Sequence, residues 1–288
     1  MAYPTLSAFD NHFQQNASSS YYLIIQPTAT DFRYAVYDWN TNTYIAVESY
    51  NYEQDGVDIL NATQQLEYYY TQIPTLRLHY KCVNYIHTHE KSTLIPNELY
   101  DAVENERYLQ LVSYFDPIRE NAAVEELKYV DAHQLFSINK NLKYALEEKY
   151  PTLKHKYHGA ILIDTLLKLY KPIRTDLVFL QIQTNQVEIV VLKNGKLQFY
   201  NTFPYTNKED CIYFILDVCK HLEIDKNTTP FTLIGELTRT SDLFTSIQQY
   251  CKNTSFINRN ESYNYSDAFI TVPSSFLFTL FSGKSANN

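Results

Sequence analysis

Late in the chain, Phe231 to Phe244 read F-T-L-I-G-E-L-T-R-T-S-D-L-F: an apolar run, one glycine, an acid, then a polar stretch that opens a helix. A strand-glycine-helix junction of this kind can hold a base and phosphates, because glycine lets backbone N–H groups approach phosphate oxygens closely. The chemistry to test is therefore nucleotide binding or cleavage. Only five glycines are present, Gly56, Gly159, Gly195, Gly235 and Gly283, and neither G-x-x-x-x-G-K-[ST] nor G-x-G-x-x-G occurs. In H-T-H-E, a continued strand would put His87 and His89 on one face as the start of a metal site. No third ligand stands nearby, and exposed imidazoles at a strand end account for the pattern more simply. His155 and His158 read as surface or packing residues, while Asp10 with His12 and Asp131 with His133 carry no usable signal. With no C-x-x-C and no G-x-S-x-G, no catalytic residue, metal site or cofactor is assigned.

The chain of 288 residues, 45% hydrophobic and 19% charged, is expected to fold as two globular domains. A formal charge of −8 repels phosphate backbones, which disfavours nucleic acid and anionic membranes as partners. No run approaches the ~20 apolar residues of a membrane span, and the start lacks a basic then apolar leader, so a cytoplasmic protein with four buried free thiols is expected.

The elements that must position Gly235 can be read from pattern. Tyr21 to Tyr52 alternate apolar, β-branched and aromatic runs with turn clusters, which predicts three antiparallel strands. A helix is predicted after Asp55, a strand over Cys82 to His87, and a helix from about Asn97 with Leu99, Val103 and Leu111 on one side. From Asp176 the programme restarts: strand, turn at Thr184-Asn185, strand, hairpin at Asn194-Gly195, strand, helix, the F-T-L-I-G strand, and a helix capped by Ser241 or Asp242. The shared order is an internal repeat: a first domain over 1–172 with a subdomain inserted at about 92–134, and a second over 173–288. Phe276, Phe278 and Phe281 are expected to pack as the last helix of the second half.

Two copies of a three-stranded meander followed by alternating helices and strands resemble the actin-like ATPase superfamily. The implied fold is α/β: duplicated ribonuclease-H-like domains, each with a mixed sheet, facing a cleft. Within it the chain resembles an uncharacterised bacterial family. The stretches that carry the likeness are T-L-I-P-N-E-L-Y-D-A-V-E-N-E-R-Y-L, N-L-K-Y-A-L-E-E-K-Y-P with H-K-Y-H-G-A-I-L-I-D-T-L-L, and F-T-L-I-G-E-L. Pilus-assembly and type II secretion proteins are more distant fold relatives, some of them binding platforms.

Active members of the superfamily hold phosphates between two hairpin turns of Asp-x-Gly type, with a carboxylate orienting Mg²⁺. The matching turns here are Gln26 to Asp31 and Gln183 to Gln186, and neither contains glycine. Pro27 also removes an N–H where donors are wanted. The superfamily's adenosine motif ends its strand in paired glycines, whereas here Glu236 follows Gly235. The candidate cleft residues are thus Thr184, Asn185, Gly235 and Glu236. The expected function is a non-enzymatic binding or assembly protein with a protein partner, with weak nucleotide binding left open. The competing reading is an ATPase or phosphotransferase with an unorthodox site using Asp31, Glu188 or Glu236 for the metal.

Overall fold

The computed structural model describes residues 2–58, 61–88 and 91–284. The described residues fall into two compact units: those of 2–162 with 261–271 and 279–284, and 163–260 with 272–278.

The first unit opens with β1 (Leu6–Phe9) and the predicted meander, β2 (Tyr21–Pro27), β3 (Asp31–Asp38) and β4 (Thr43–Asn51). The turn helix α1 (Tyr52–Asp55) and the longer α2 (Ala62–Gln72) follow, each capped by an asparagine side chain, Asn51 and Asn61. Strand β5 (Cys82–His87) occupies the span expected from sequence. A second, three-stranded sheet then interrupts the programme: β6 (Ser92–Pro96), helix α3 (Asn105–Val112), β7 (Glu120–Glu126) and β8 (Ala132–Asn139), in the order β6-β8-β7. It runs past residue 134, because β8 leads without a break into α4 (Lys140–Lys149). Strand β9 (Leu153–Tyr157) completes the first sheet, β1-β4-β3-β2-β5-β9, in which β2, β5 and β9 are mutually parallel.

Strands β2 and β3 are buried on both faces, so they read as continuous apolar runs rather than as alternation. On one face Leu23, Ile25, Phe32, Tyr34 and Val36 meet Leu66 and Tyr69 of α2 and Leu142 and Leu146 of α4. The predicted helix from Asn97 is two short turns and then α3, and its buried residue is Leu109, against Phe115 and Leu135. Leu99, Val103 and Leu111, expected on one side of that helix, are exposed. Helix α3 packs on the small sheet through Leu109, with Tyr108 partly buried beside it.

Helix α5 (His158–Tyr170) carries the chain into the second unit. There β10 (Leu177–Ile182), β11 (Gln186–Lys193) and β12 (Lys196–Pro204) repeat the meander, followed by α6 (Lys208–His221), β13 (Phe231–Gly235), α7 (Asp242–Tyr250) and β14 (Thr254–Phe256). The sheet order β12-β11-β10-β13-β14 reproduces β4-β3-β2-β5-β9, with the last three strands again parallel. Asn194 and Gly195, at φ 52° and 71°, form the two-residue hairpin turn between β11 and β12. Ser241, rather than Asp242, caps α7 through the Phe244 N–H.

The end of the chain departs from the sequence reading, which placed everything from 173 onward in the second domain. Strand β15 (Asn264–Tyr265) pairs in parallel with β4, and in α8 (Phe278–Ser282) the ring of Phe281 meets Tyr44, Tyr265 and Phe269. Asn84 Nδ2 donates to the Gly283 carbonyl at 2.8 Å. Phe278 and Phe281 are buried, but Phe276 precedes α8 and is only half-buried, and Phe281 lies on the first sheet. The Thr43–Tyr44 end of β4, which β1 does not reach, and the aromatic face at Tyr44 hold the segment there.

Candidate functional site

The hairpin between β10 and β11 brings the polar turn Gln183 to Gln186 to one end of the second sheet. Gln183 N–H donates to the Gln186 carbonyl at 3.0 Å, closing the turn. Thr184 and Asn185 are exposed at its tip, and the Asn185 carbonyl accepts from Tyr205 N–H at 2.9 Å. The Gln183 carbonyl accepts from the Tyr205 hydroxyl, whose pKa burial pushes up to about 12. Gln183 Nε2 donates to Glu188 Oε1 at 2.6 Å, and Tyr200 Oη donates to Glu188 Oε2 at 3.1 Å. Glu188 is fully buried, so both carboxylate oxygens are spent inside the sheet.

Gly235 ends the neighbouring strand. Ile182 opposite Gly235 is the last rung between β10 and β13, so the Thr184–Asn185 turn and Glu236 emerge from the same end of the sheet. The four candidate residues are therefore brought together along the backbone. Gly235 has φ +100°, and a Cβ there would lie 2.0 Å from the Ile182 carbonyl oxygen. Its N–H donates to the Ser275 carbonyl at 2.9 Å, which occupies the donor a phosphate would need. Glu236 is exposed.

Beside this strand end lies a cavity of about 320 Å³, lined by Leu237, Thr238, Arg239, Phe256, Ser274 and Ser275 among others. The Arg239 guanidinium sits 5.3 Å from the Phe256 ring centre, and Phe256 stacks on Phe244 at 5.3 Å. A flat apolar wall, hydroxyls and one cation could take a planar, anionic molecule. Sequence reasoning stopped at Glu236 and missed this cavity, since Phe256 and 273–276 reach it only through tertiary folding.

In the first unit the corresponding turn is built differently. Thr28 N–H donates to the Asp31 carbonyl at 2.8 Å, and Asp31 N–H donates to Thr28 Oγ1 at 3.1 Å. The Asp31 carboxylate accepts from Arg33 Nη2 at 3.1 Å and from the Thr30 hydroxyl, with Asn51 Nδ2 at 3.5 Å. Both members of the Arg33–Asp31 pair are about nine-tenths buried, with side-chain exposures of 10% and 12%. The Pro27 carbonyl accepts from Thr88 Oγ1 at 2.7 Å.

The imidazole of His87 is within 3.0 Å of another histidine, His155, through Nε2 and Nδ1. Parallel pairing of β5 with β9 makes this contact; His89 lies outside the described residues. Burial holds the His155 pKa below its ordinary value, with Glu147 pulling upward and Lys143 downward. Among the described residues no three His, Cys, Asp or Glu side chains group to hold a metal ion. Cys82, Cys211, Cys219 and Cys251 are buried free thiols, and among the described residues no helix is long and apolar enough to cross a membrane.

Two sheets of one strand order, each with three parallel strands after an antiparallel meander, define an actin-like ATPase fold. Solved structures agree: a Bacteroides thetaiotaomicron protein with an actin-like ATPase fold and unknown function matches with TM-score 0.76 at 21% identity, over 88% of this chain and 96% of that one. A chain of the PilM–PilN type IV pilus biogenesis complex matches with TM-score 0.59 at 12% identity, over 91% and 96%. The chain belongs to the family of proteins of unknown function DUF3822, whose family model matches residues 10–254. Among curated protein sequences, none matches.

Proposed function

We propose that this is a non-enzymatic binding or assembly protein of the cytosol, built on an actin-like fold whose phosphate-loop positions serve internal hydrogen bonding. The observation that carries the reading is Asp31, the one acid of the two turns. A carboxylate that orients Mg²⁺ must offer oxygens to the ion and its waters, whereas this one faces the Arg33 guanidinium in a buried pair. The second turn has no acid, and Glu188 below it is spent on Gln183 and Tyr200. Glu236 sets a negative charge at the strand end where a phosphate would approach. The PilM–PilN complex is a case of this fold in a protein assembly, which suits a protein partner for this chain.

Calorimetry with ATP and Mg²⁺ is expected to give no phosphate release. Micromolar binding together with steady release would overturn the reading, and loss of that rate in Glu236→Ala would move Glu236 to the metal.

A second reading, nucleotide binding without turnover, is favoured by the cavity beside β13. Its test is the thermal shift with adenosine nucleotides, with and without Mg²⁺, since a ligand of the native state raises the melting temperature by linkage. A rise abolished by Arg239→Ala supports that site; a flat response removes it.

A further inference from the structure

The three-stranded sheet carries an unpartnered apolar flank. Six of the fifteen large exposed hydrophobics among the described residues fall between Leu99 and Ile118. Single exposed apolar side chains are ordinary, but a concentration on one short segment marks an interaction surface. Leu99, Val103 and Leu111 are 69%, 89% and 76% exposed, and Tyr114 prolongs the set at 81%. Val103 and Leu111 stand eight apart with Arg107 midway, which sets them on one outer side of the second short turn and α3, while Leu99 and Tyr114 flank that helix across the extended residues Tyr100, Asp101 and Ser113. Leu109, on the opposite side of α3, already supplies its attachment to the sheet.

The charge of the same segment says what could cover these side chains. Residues 98–119 hold five acids, Glu98, Asp101, Glu104, Glu106 and Asp116, against Arg107 and Arg119, a net −3. Arg107 is 3.3 Å from Glu104 and Arg119 is 3.7 Å from Asp116, so both cations are engaged within the segment. Among the described residues Glu98, Asp101 and Glu106 have no ion pair. Pairing this flank with its own copy would set like charges face to face, in a chain already at −8.

We propose that residues 97–118 form the docking surface for a basic amphipathic protein segment. Its apolar side chains cover Leu99, Val103 and Leu111, and its Lys or Arg residues face Glu98, Asp101 and Glu106. The proposal names the kind of partner that the binding-protein reading above requires, and rests on it for that role. It uses none of the phosphate-loop residues.

The test uses the full chain and a dye-labelled amphipathic Leu/Lys helix of about 15 residues, long enough to be helical on docking, beside a Leu/Glu peptide of the same apolar pattern. Fluorescence anisotropy is expected to give a micromolar Kd for the Lys peptide and at least about tenfold weaker binding for the Glu peptide. Raising NaCl from about 50 to about 300 mM should weaken the Lys peptide several-fold. Amide exchange should slow within 97–118 on binding, and Val103→Ser with Leu111→Ser should lose at least about fivefold in affinity at unchanged melting temperature. Equal binding of both peptides, protection elsewhere, or unchanged affinity in the double variant overturns the proposal. So does a dimer in sedimentation that the double variant dissolves, which would give the surface to a second copy. Measured ATP turnover would sink the binding-protein reading without touching this result, and a failed peptide test would leave the phosphate-loop reading intact.

Discussion

Replacing Gly235 by alanine separates a structural glycine from a ligand-binding one. At φ +100° an L side chain is strained by about 1–3 kcal/mol. The added Cβ would also lie 2.0 Å from the Ile182 carbonyl oxygen and 3.0 Å from its carbon. Backbone at both ends of that contact must move by more than an ångström, opening the last rung between β10 and β13 and a hydrogen bond worth about 1 kcal/mol. Together these put the loss at about 3 kcal/mol or more. With about 2.1 cal/mol/K of unfolding entropy per residue over 288 residues, or roughly 0.6 kcal/mol/K, the melting temperature should fall by about 5 °C. Scanning calorimetry on Gly235→Ala beside Glu236→Ala reads this directly, since the exposed Glu236 should change stability by less than about 0.5 kcal/mol. A Gly235→Ala protein that melts within about 1 °C of the parent would refute the clash argument. If such a protein had also lost a nucleotide response, Gly235 would belong to a ligand site after all.

Breaking the buried pair with Arg33→Met should cost about 3–5 kcal/mol, because the Asp31 charge is left without its cation; urea unfolding should show most of that loss recovered in the double variant with Asp31→Asn, and no recovery would mean the pair is not the cause. Burial depresses the pKa of His155, so the folded protein binds fewer protons there than the unfolded chain just below the ordinary histidine value. That stability is complete above about pH 6.5 and is lost as pH falls toward the folded pKa; melting curves between about pH 7.5 and 5.5 should show a drop that His155→Asn reduces. The buried thiols of Cys211 and Cys251, pushed up to about 12, and Cys219, pushed up to about 11, should resist iodoacetamide at pH 8 until the protein is denatured. Fast native alkylation at any of the three would show that it is more open than its burial implies.

Runs such as L-I-I-Q and E-I-V-V-L, bounded by turn residues, can be read locally as strands, because strand formation follows the identity of adjacent side chains. The repeated order of such runs carried the duplicated fold, and Asn194-Gly195 its own hairpin. Asp31 and Arg33 were within reach as well, since alternate residues of a strand share a face. The partner of His87 was not, because His155 is 68 positions away and meets it only through the parallel alignment of β5 and β9. Which side of α3 faces in was not legible either: spacing shows which residues share a side, and only the packing of Leu109 decides which side is buried.

The sequence by itself thus determined the two meanders, their order, and the lack of glycine and paired acids where phosphates would need them, all of which are local or compositional. Tertiary structure alone decided that the Asp31–Arg33 pair is buried, that Phe281 returns to the first sheet, that a cavity opens beside Gly235, and that an acidic segment rich in apolar side chains is left facing water. Those features depend on which distant surfaces compete for the same apolar and polar groups, and that competition is settled when the whole chain packs.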